Sequence, residues 1–389
     1  MNPHQFDTII HLVGEQPLPI YIGMLQFSCP RHILAVTDRT RPVGAALKQV
    51  AAKRGLEADL LDVPAYDGRA AGDAFDALLN GRGPGSAALN LTGGTKPMFS
   101  GGYQAGLKAC APMYYVETTR RELHWLGEAP RKEPLRPTMD SVKTFVELAG
   151  CRLNTDVGEH WAGWTEQNGS LLAACWKHRE ALGRWQGELA RRGYSQYLGV
   201  PFQSQWNGRG VLLAAELKGP PDYAGALKIG DFEKRESPWM DLAGFLTGGW
   251  FERHTYRHLL LLRRSGRLRD MILNAAVETA TSGPESQKAI QEFDIAFTDG
   301  FCLTIVECKA GAVNQDHVQK LENLVQRFGG HFGRGILASV FKFQKPMERR
   351  ILSLSRIAAI TESALMGNPD AFLTADAGTL LSSPSQTHS

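Results

Sequence analysis

Two stretches of the sequence combine residue types and spacings that can do chemistry. The first is EFDIAFTDGFCLTIVECK, residues 292–309. Asp294 sits in an apolar run, an Asp-Gly turn follows at 299–300, and a second apolar run delivers Glu307 and Lys309. Side chains two apart on a strand project from one face, so Glu307 and Lys309 share a face that Asp294 can reach from the neighbouring strand of a hairpin. Two carboxylates and a lysine converging in this way make a hard oxygen site for Mg²⁺ or Mn²⁺, one or two ions per site. Asp294, Glu307 and Cys308 are the candidate metal-ligating positions. Lys309 is placed to orient or deprotonate water and to stabilise a pentacoordinate phosphate. The competing reading is a surface hairpin with an ion pair between Glu307 and Lys309. The strongly apolar flanks weigh against it, because an unpaired charge there is costly.

The second stretch is NLTGGTKPM, residues 90–98. It lacks the glycine directly before lysine that a Walker loop needs, and its adjacent glycines do not fit GxGxxG. A strand ending at Leu91, two glycines that allow close backbone approach and Pro97 opening a helix still describe an anion cradle. Thr95 is the expected N-cap and Lys96 adds a positive charge. Thr92, Gly93, Gly94, Thr95 and Lys96 are therefore candidate ligand contacts, against the alternative of an ordinary glycine-rich turn. Two further strand ends, VGEQPLP (13–19) and VTDRTR (36–41), belong at the same sheet edge, where open α/β folds bind ligands. They add Gln16, Thr37, Asp38 and Arg39 as donors for bases, riboses or phosphates.

The elements that must position these residues follow from periodicity. TIIHLV (8–13), HILAV (32–36), ADLLDV (58–63), AALNL (87–91) and PMYYVET (112–118) read as strands. Helices are expected at 43–55, 71–81 and 97–110. Strand–helix alternation with continuously apolar strands predicts a parallel, Rossmann-like sheet covered on both faces. The Pro-rich segment EAPRKEPLRPT (128–138) breaks the rhythm and reads as a linker. A helical, tryptophan-rich region follows, with Trp161, Trp164, Trp176 and Trp185 filling a core in preference to stacking on bases. The C-terminal third returns to mixed α/β. A helix at 317–328, with Val318, Leu321, Leu324, Val325 and Phe328 on one face, and a strand at 335–340 complete a β–β–α–β order around the carboxylates. The expected division is a sensing domain at 1–138, a helical or mixed connecting region at 139–240, a second α/β domain at 241–365, and an extension with a disordered tail at 366–389.

FLTGGWFERHTYRHLLLLRR (245–264) reads as a helix opening after Gly248–Gly249, with Glu252 near its start as a further acidic candidate. Six arginines (253, 257, 263, 264, 267 and 269) against one acid between 252 and 269 form either a solvated face or a phosphate-contacting surface. His254 and His258 have the spacing of zinc ligands, but the glutamate of HExxH is missing, which argues against a metal there. The 389 residues are 43% hydrophobic and 21% charged, with a net charge of +3, so any nucleic-acid surface must be local. Six scattered cysteines without a CxxC pair exclude a disulfide framework and fit a reducing cytosol. No secretory signal and no apolar run of about 20 residues is present, so a cytoplasmic protein without a membrane partner is expected.

Taken together, the two stretches resemble a known combination. The D…ExK hairpin is similar to that of restriction-endonuclease-like phosphodiesterases. LNLTGGTKPM and the strands before it resemble the CRISPR-associated Rossmann fold (CARF) sensor domain, and FLTGGWFE, QEFDIAF, IVECKAG and RFGGHFGRGIL resemble the nuclease half of the same ancillary proteins. The resemblance spans most of the chain. It implies a homodimer whose sensor domains bind a cyclic oligoadenylate made in type III CRISPR interference, cyclic tetra-adenylate above all. Binding would switch on a metal-dependent endonuclease acting on single-stranded DNA, RNA or both, or nicking duplex DNA. Thr92 to Lys96 would hold the ligand, Asp294, Glu307 and Lys309 would be catalytic, and Glu252 would join them. In the family acidic residues follow the tryptophan motif, whereas here Arg253 follows Glu252. Two alternatives remain: a non-enzymatic ligand-responsive regulator, for which no convincing helix-turn-helix is visible, and a restriction or repair nuclease that cleaves without a ligand.

Overall fold

A computed structural model describes residues 5–83, 85–127, 130–193, 199–239, 241–279, 291–361, 369–375 and 379–381. The N-terminal part is a seven-stranded sheet. Its strands are β1 (Thr8–Leu12), β2 (Arg31–Val36), β3 (Glu57–Asp62), β4 (Ala87–Asn90), β5 (Met113–Glu117), β6 (Glu122–Leu126) and β7 (Arg131–Pro134), in the order β3-β2-β1-β4-β5-β6-β7. The first five of that order run parallel and the last two antiparallel. Helices α1 (Pro17–Met24), α2 (Arg41–Ala52), α3 (Gly68–Leu79) and α4 (Lys96–Lys108) form the crossovers. Central β1 is buried along its whole length, whereas edge strand β3 is half exposed, so the apolar character of its sequence is not matched by burial.

Within the Pro-rich stretch expected to be a linker, Arg131–Pro134 forms strand β7, which pairs with β6 and brings Arg131 opposite Trp125, with its guanidinium 4.9 Å from that ring. Proline is tolerated there because β7 is an edge strand, where a missing N–H breaks no ladder.

The C-terminal sheet also has seven strands. These are β8 (Cys151–Asn154), β13 (Asp270–Thr279), β14 (Gln291–Thr298), β15 (Leu303–Lys309), β16 (Arg334–Ser339), β17 (Ile357–Thr361) and β18 (Leu380–Leu381), in the order β18-β17-β16-β15-β14-β13-β8. Its first strand thus comes from the region expected to be a connector, as β8 pairs with β13. Its last comes from the expected extension: β18 pairs with β17, and Arg334 donates to the carbonyls of Leu373 and Ala375 at 3.1 and 2.6 Å. Of the tail LSSPSQTHS (381–389) expected to be disordered, Leu381 belongs to β18, and 382–389 lie outside the described residues. Between β8 and β13 sits a module of α6 (Asp156–Gln167), α7 (Gly169–Lys177), α8 (Arg179–Arg191) and a four-stranded antiparallel sheet, β9 (Phe202–Gly208), β10 (Val211–Leu217), β11 (Gly225–Ile229) and β12 (Phe232–Glu236). Trp164, Trp176 and Trp185 are buried in its core, Trp161 packs against that core partly buried, and Trp185 donates to Ser204 at 2.9 Å. A short helical turn, α9 (Leu242–Gly244), then leads towards α10 (Trp250–Arg264).

Helix α5 (Val142–Leu148) joins the halves. Phe145 and Val146 lie in one apolar cluster that runs from Tyr21, Leu47 and Tyr114 beneath the N-terminal sheet to Val277, Ile305 and Leu321 beneath the C-terminal one. The two halves are therefore fused through a shared core. Among the described residues no helix is long and apolar enough to cross a membrane.

Candidate active site and ligand cavity

β14 and β15 form the expected hairpin. Asp299 in the turn accepts from the backbone N–H groups of Phe301 and Cys302 at 3.0 and 3.2 Å, and Gly300 takes the left-handed conformation the turn demands (φ +100°). The register pairs Ile295 with Val306, and Asp294 and Glu307 follow one step beyond. Lys309 Nζ lies 2.7 Å from Glu307 Oε1 and 3.7 Å from Asp294 Oδ2. Glu307 and Asp294 are 1% and 9% exposed, so both carboxylates stand almost wholly out of water.

Burial, followed by the charges of Glu252 and Glu307, pushes the Asp294 carboxyl up to about 8, while Lys309 and the Cys308 N–H oppose the shift. Burial alone would lower Lys309, but Asp294 and Glu307 raise it above the usual ammonium range. Lys309 is thus a held cation. Its ammonium stands beside both carboxylates, where it can stabilise negative charge.

Glu252 stands in the first turn of α10, where it accepts from Asn274 at 2.6 Å and contributes to the Asp294 shift. Cys308 is different. Its backbone N–H donates to Asp294 Oδ2 at 2.8 Å, but its thiol lies in the apolar cluster with Val306 and Ala310, and burial raises it well above the ordinary value. Strand alternation turns the sulfur away from the face of Glu307 and Lys309. The thiol is not a metal ligand in this arrangement.

Two participants escaped the sequence reading. Lys320 of α11 (Gln315–Leu324) bridges both oxygens of Glu307, at 3.2 and 3.1 Å. Glu292 is raised by burial and then by the charge of Glu252. Glu292 stands two residues before Asp294 on one strand, so alternation could have found it. Lys320 belongs to a helix whose apolar spacing shows only which side is buried.

The arginine run is not one surface. Arg253 is 2% exposed, lies 3.8 Å from the Trp161 ring and pairs with Asp241 at 3.4 Å, while Arg264 and Arg267 pair with Glu166 and Asp370. His254 and His258 meet each other at 3.2 Å, and His254 stacks on Trp176 with centroids 4.6 Å apart.

At the C-terminal edge of the N-terminal sheet lies a cavity of about 840 Å³. Gln16, Thr37, Asp38, Arg39, Gly94 and Thr95 line it, as the sequence suggested; Thr92, Gly93 and Lys96 do not. The Thr92 hydroxyl is committed internally, donating to Asn90 and accepting from the Val116 N–H at 2.9 Å. A Cβ on Gly93 would stand 2.3 Å from the Leu12 carbonyl oxygen and 2.6 Å from the Gly14 N, so this glycine permits close approach of the chain's own backbone. Gly94 has φ +77°, and Thr95 caps α4 by accepting from Met98 at 3.3 Å while donating to the Ala65 carbonyl. Lys96 is exposed at the first position of α4. Arg39 pairs with Glu15 at 2.6 Å. Among the wall residues that were not anticipated are Tyr66, 84% exposed, and His331, which comes from the C-terminal half.

Residues 241–366, the segment that holds Glu252, Asp294, Glu307 and Lys309, match the family model of the Card1-like endonuclease domain. The whole chain shares its fold with solved structures. Can2 from Sulfobacillus thermosulfidooxidans, in complex with cyclic tetra-adenylate, matches with a TM-score of 0.65 and 20% identity, over 91% of this chain and 93% of that one. Protein VC1899 from Vibrio cholerae matches with a TM-score of 0.70 and 18% identity, over 92% of this chain and 94% of that one. A type III CRISPR defence DNA nuclease activated by cyclic oligoadenylate matches with a TM-score of 0.54 and 17% identity; 92% of this chain covers 48% of that longer one. No curated protein matches the sequence.

Proposed function

We propose that this endonuclease-bearing chain is a metal-dependent nuclease of type III CRISPR defence, switched on by a cyclic oligoadenylate, with cyclic tetra-adenylate as the activator. The observation that carries the proposal is the convergence of Asp294, Glu307 and Lys309 in the endonuclease domain, fused through a common core to a domain with a ligand-sized cavity. The cyclic tetra-adenylate held by Can2, a protein of the same fold along nearly its whole length, supports the choice of activator.

Asp294 and Glu307 would hold Mg²⁺ or Mn²⁺, with Glu252 as the third acid. The donor set suits a hard divalent cation, since these buried carboxylates disfavour one another's charge and a cation relieves that cost. Such an ion supplies Lewis-acid polarisation of the scissile phosphate and lowers the pKa of water. Lys309, kept protonated by its neighbours, lends positive charge where negative charge accumulates on the phosphate. The substrate is single-stranded DNA, RNA or both, in the cytoplasm.

A homodimer fits the exposed face of α4. Phe99, Tyr103 and Leu107 follow one another at helical spacing, with Phe99 37% and Leu107 45% exposed and the Phe99 and Tyr103 rings stacked 6.1 Å apart. Lys96 lies on the same face by spacing. A second copy packed there brings two Lys96 residues together at the seam, where a twofold-symmetric ring would sit. This accounts for the absence of Lys96 from the single-chain cavity.

The test is cleavage of end-labelled single-stranded DNA and RNA with Mn²⁺ and cyclic tetra-adenylate. Wild type should cut at least one of them, while Glu307→Gln and a chelated control should not. Undiminished cutting by Glu307→Gln would reject the catalytic assignment.

A further inference from the structure

The cavity wall is built from both halves of the molecule. His331 stands in it, on a short turn, Gly330–Phe332, that directly continues α11 through residues 325–329. Gly330 is held against the sensor side: a Cβ there would stand 2.2 Å from Gln16 Oε1, and its φ of +59° is left-handed. Gln16 is itself a wall residue, so the two halves touch at the cavity.

Arg356 fixes this turn. It donates to the Gly330 carbonyl at 3.0 Å and lies 2.9 Å from His331 Nδ1. A guanidinium can only donate, so Nδ1 is the acceptor and the ring proton of the neutral imidazole is on Nε2. His331 therefore has an N–H donor of the kind that suits a phosphate oxygen or a sugar hydroxyl.

The same helical segment carries Lys320, whose ammonium bridges both oxygens of Glu307. Helical chain runs from Lys320 to Gly329, and the left-handed Gly330 then turns it so that His331 follows directly at its end. Val318, Leu321 and Leu324 bury this helix, so a displacement at one end is transmitted along a packed, stiff element. The Lys320 ammonium faces the same carboxylate that would hold a divalent ion, so the two cations would compete for Glu307.

We infer that His331, supplied by the nuclease half, is a ligand-contact residue of the sensor cavity, and that segment 315–332 carries cavity occupancy to the Lys320–Glu307 contact. This rests on reading the cavity as the cyclic oligoadenylate site. A ligand that touches both halves distinguishes their relative arrangements, which is what a switch requires.

The test uses the full chain, with cyclic tetra-adenylate titrated calorimetrically and Mn²⁺ affinity followed by the paramagnetic signal of the free ion. His331→Ala should weaken cyclic tetra-adenylate binding roughly tenfold, the scale of one hydrogen bond to a charged group. His331→Gln, which keeps an N–H donor, should recover most of it. Saturating ligand should tighten Mn²⁺ binding in wild type, whereas Lys320→Met should bind Mn²⁺ equally with and without ligand. Wild-type ligand affinity in His331→Ala, or an undiminished Mn²⁺ shift in Lys320→Met, would overturn the inference. Failure of wild type to bind cyclic tetra-adenylate at all would instead overturn the sensor reading, and this inference with it.

Discussion

Asp294 is an acid whose folded-state value, about 8, lies well above the roughly 3.9 of an unfolded aspartate. Between those values the folded chain holds a proton that the unfolded chain has released. Its contribution to stability is complete below about pH 4 and is lost as pH rises towards 8. Metal-free protein should therefore melt lower at pH 8 than at pH 5, with a smaller pH dependence in Asp294→Asn. An identical pH dependence in the two proteins would contradict burial of this carboxyl as the cause. Removing Glu307 with Gln should cost on the order of 10³-fold in cleavage, the scale of deleting one preorganised electrostatic group. At this scale the sequence was informative where chemistry is local. The D…ExK spacing and strand alternation brought Asp294, Glu307 and Lys309 together. They could not show that Lys320 reaches Glu307 from another element, nor that Arg253 is buried against Trp161.

The glycine loop shows how an element can be located correctly for an incomplete reason. β4, the turn and α4 lie where periodicity put them, with Thr95 as the cap. Gly93, though, is demanded by the backbone of Leu12 and Gly14. Gly93→Ala should cost about 3 kcal/mol or more in unfolding free energy, because the crowded atoms are backbone and cannot swing aside. Denaturant melts would measure it, and a near-neutral result would contradict the crowding. On α4, Phe99→Asp introduces a charge into the stripe of Phe99, Tyr103 and Leu107. Light scattering should then report a monomer, with cyclic tetra-adenylate binding lost; a dimeric variant would move the interface elsewhere. The strand β7 was misread as a linker because proline and charge mark sheet edges as well as loops.

At the scale of the molecule, the alternation of strands and helices made the α/β class and both sheets legible. What stayed hidden was how the sheets join, since β8 and β18 reach the C-terminal sheet from segments distant in sequence. Phe145, 1% exposed in the shared cluster, stands at that join. Phe145→Ala should cost about 3–5 kcal/mol and lower a single calorimetric transition that includes both halves. Two separate transitions in wild type would contradict a shared core. That fused construction also bears on switching: occupancy of the cavity must alter the packing of a continuous core, not swing a free arm. The most direct measurement is the cleavage rate of labelled single-stranded DNA and RNA at fixed Mn²⁺, with and without cyclic tetra-adenylate. A rate that rises at least tenfold with the ligand, and falls on the order of 10³-fold in Glu307→Gln, is the expected result. Equal rates in the two conditions would contradict a ligand-switched nuclease.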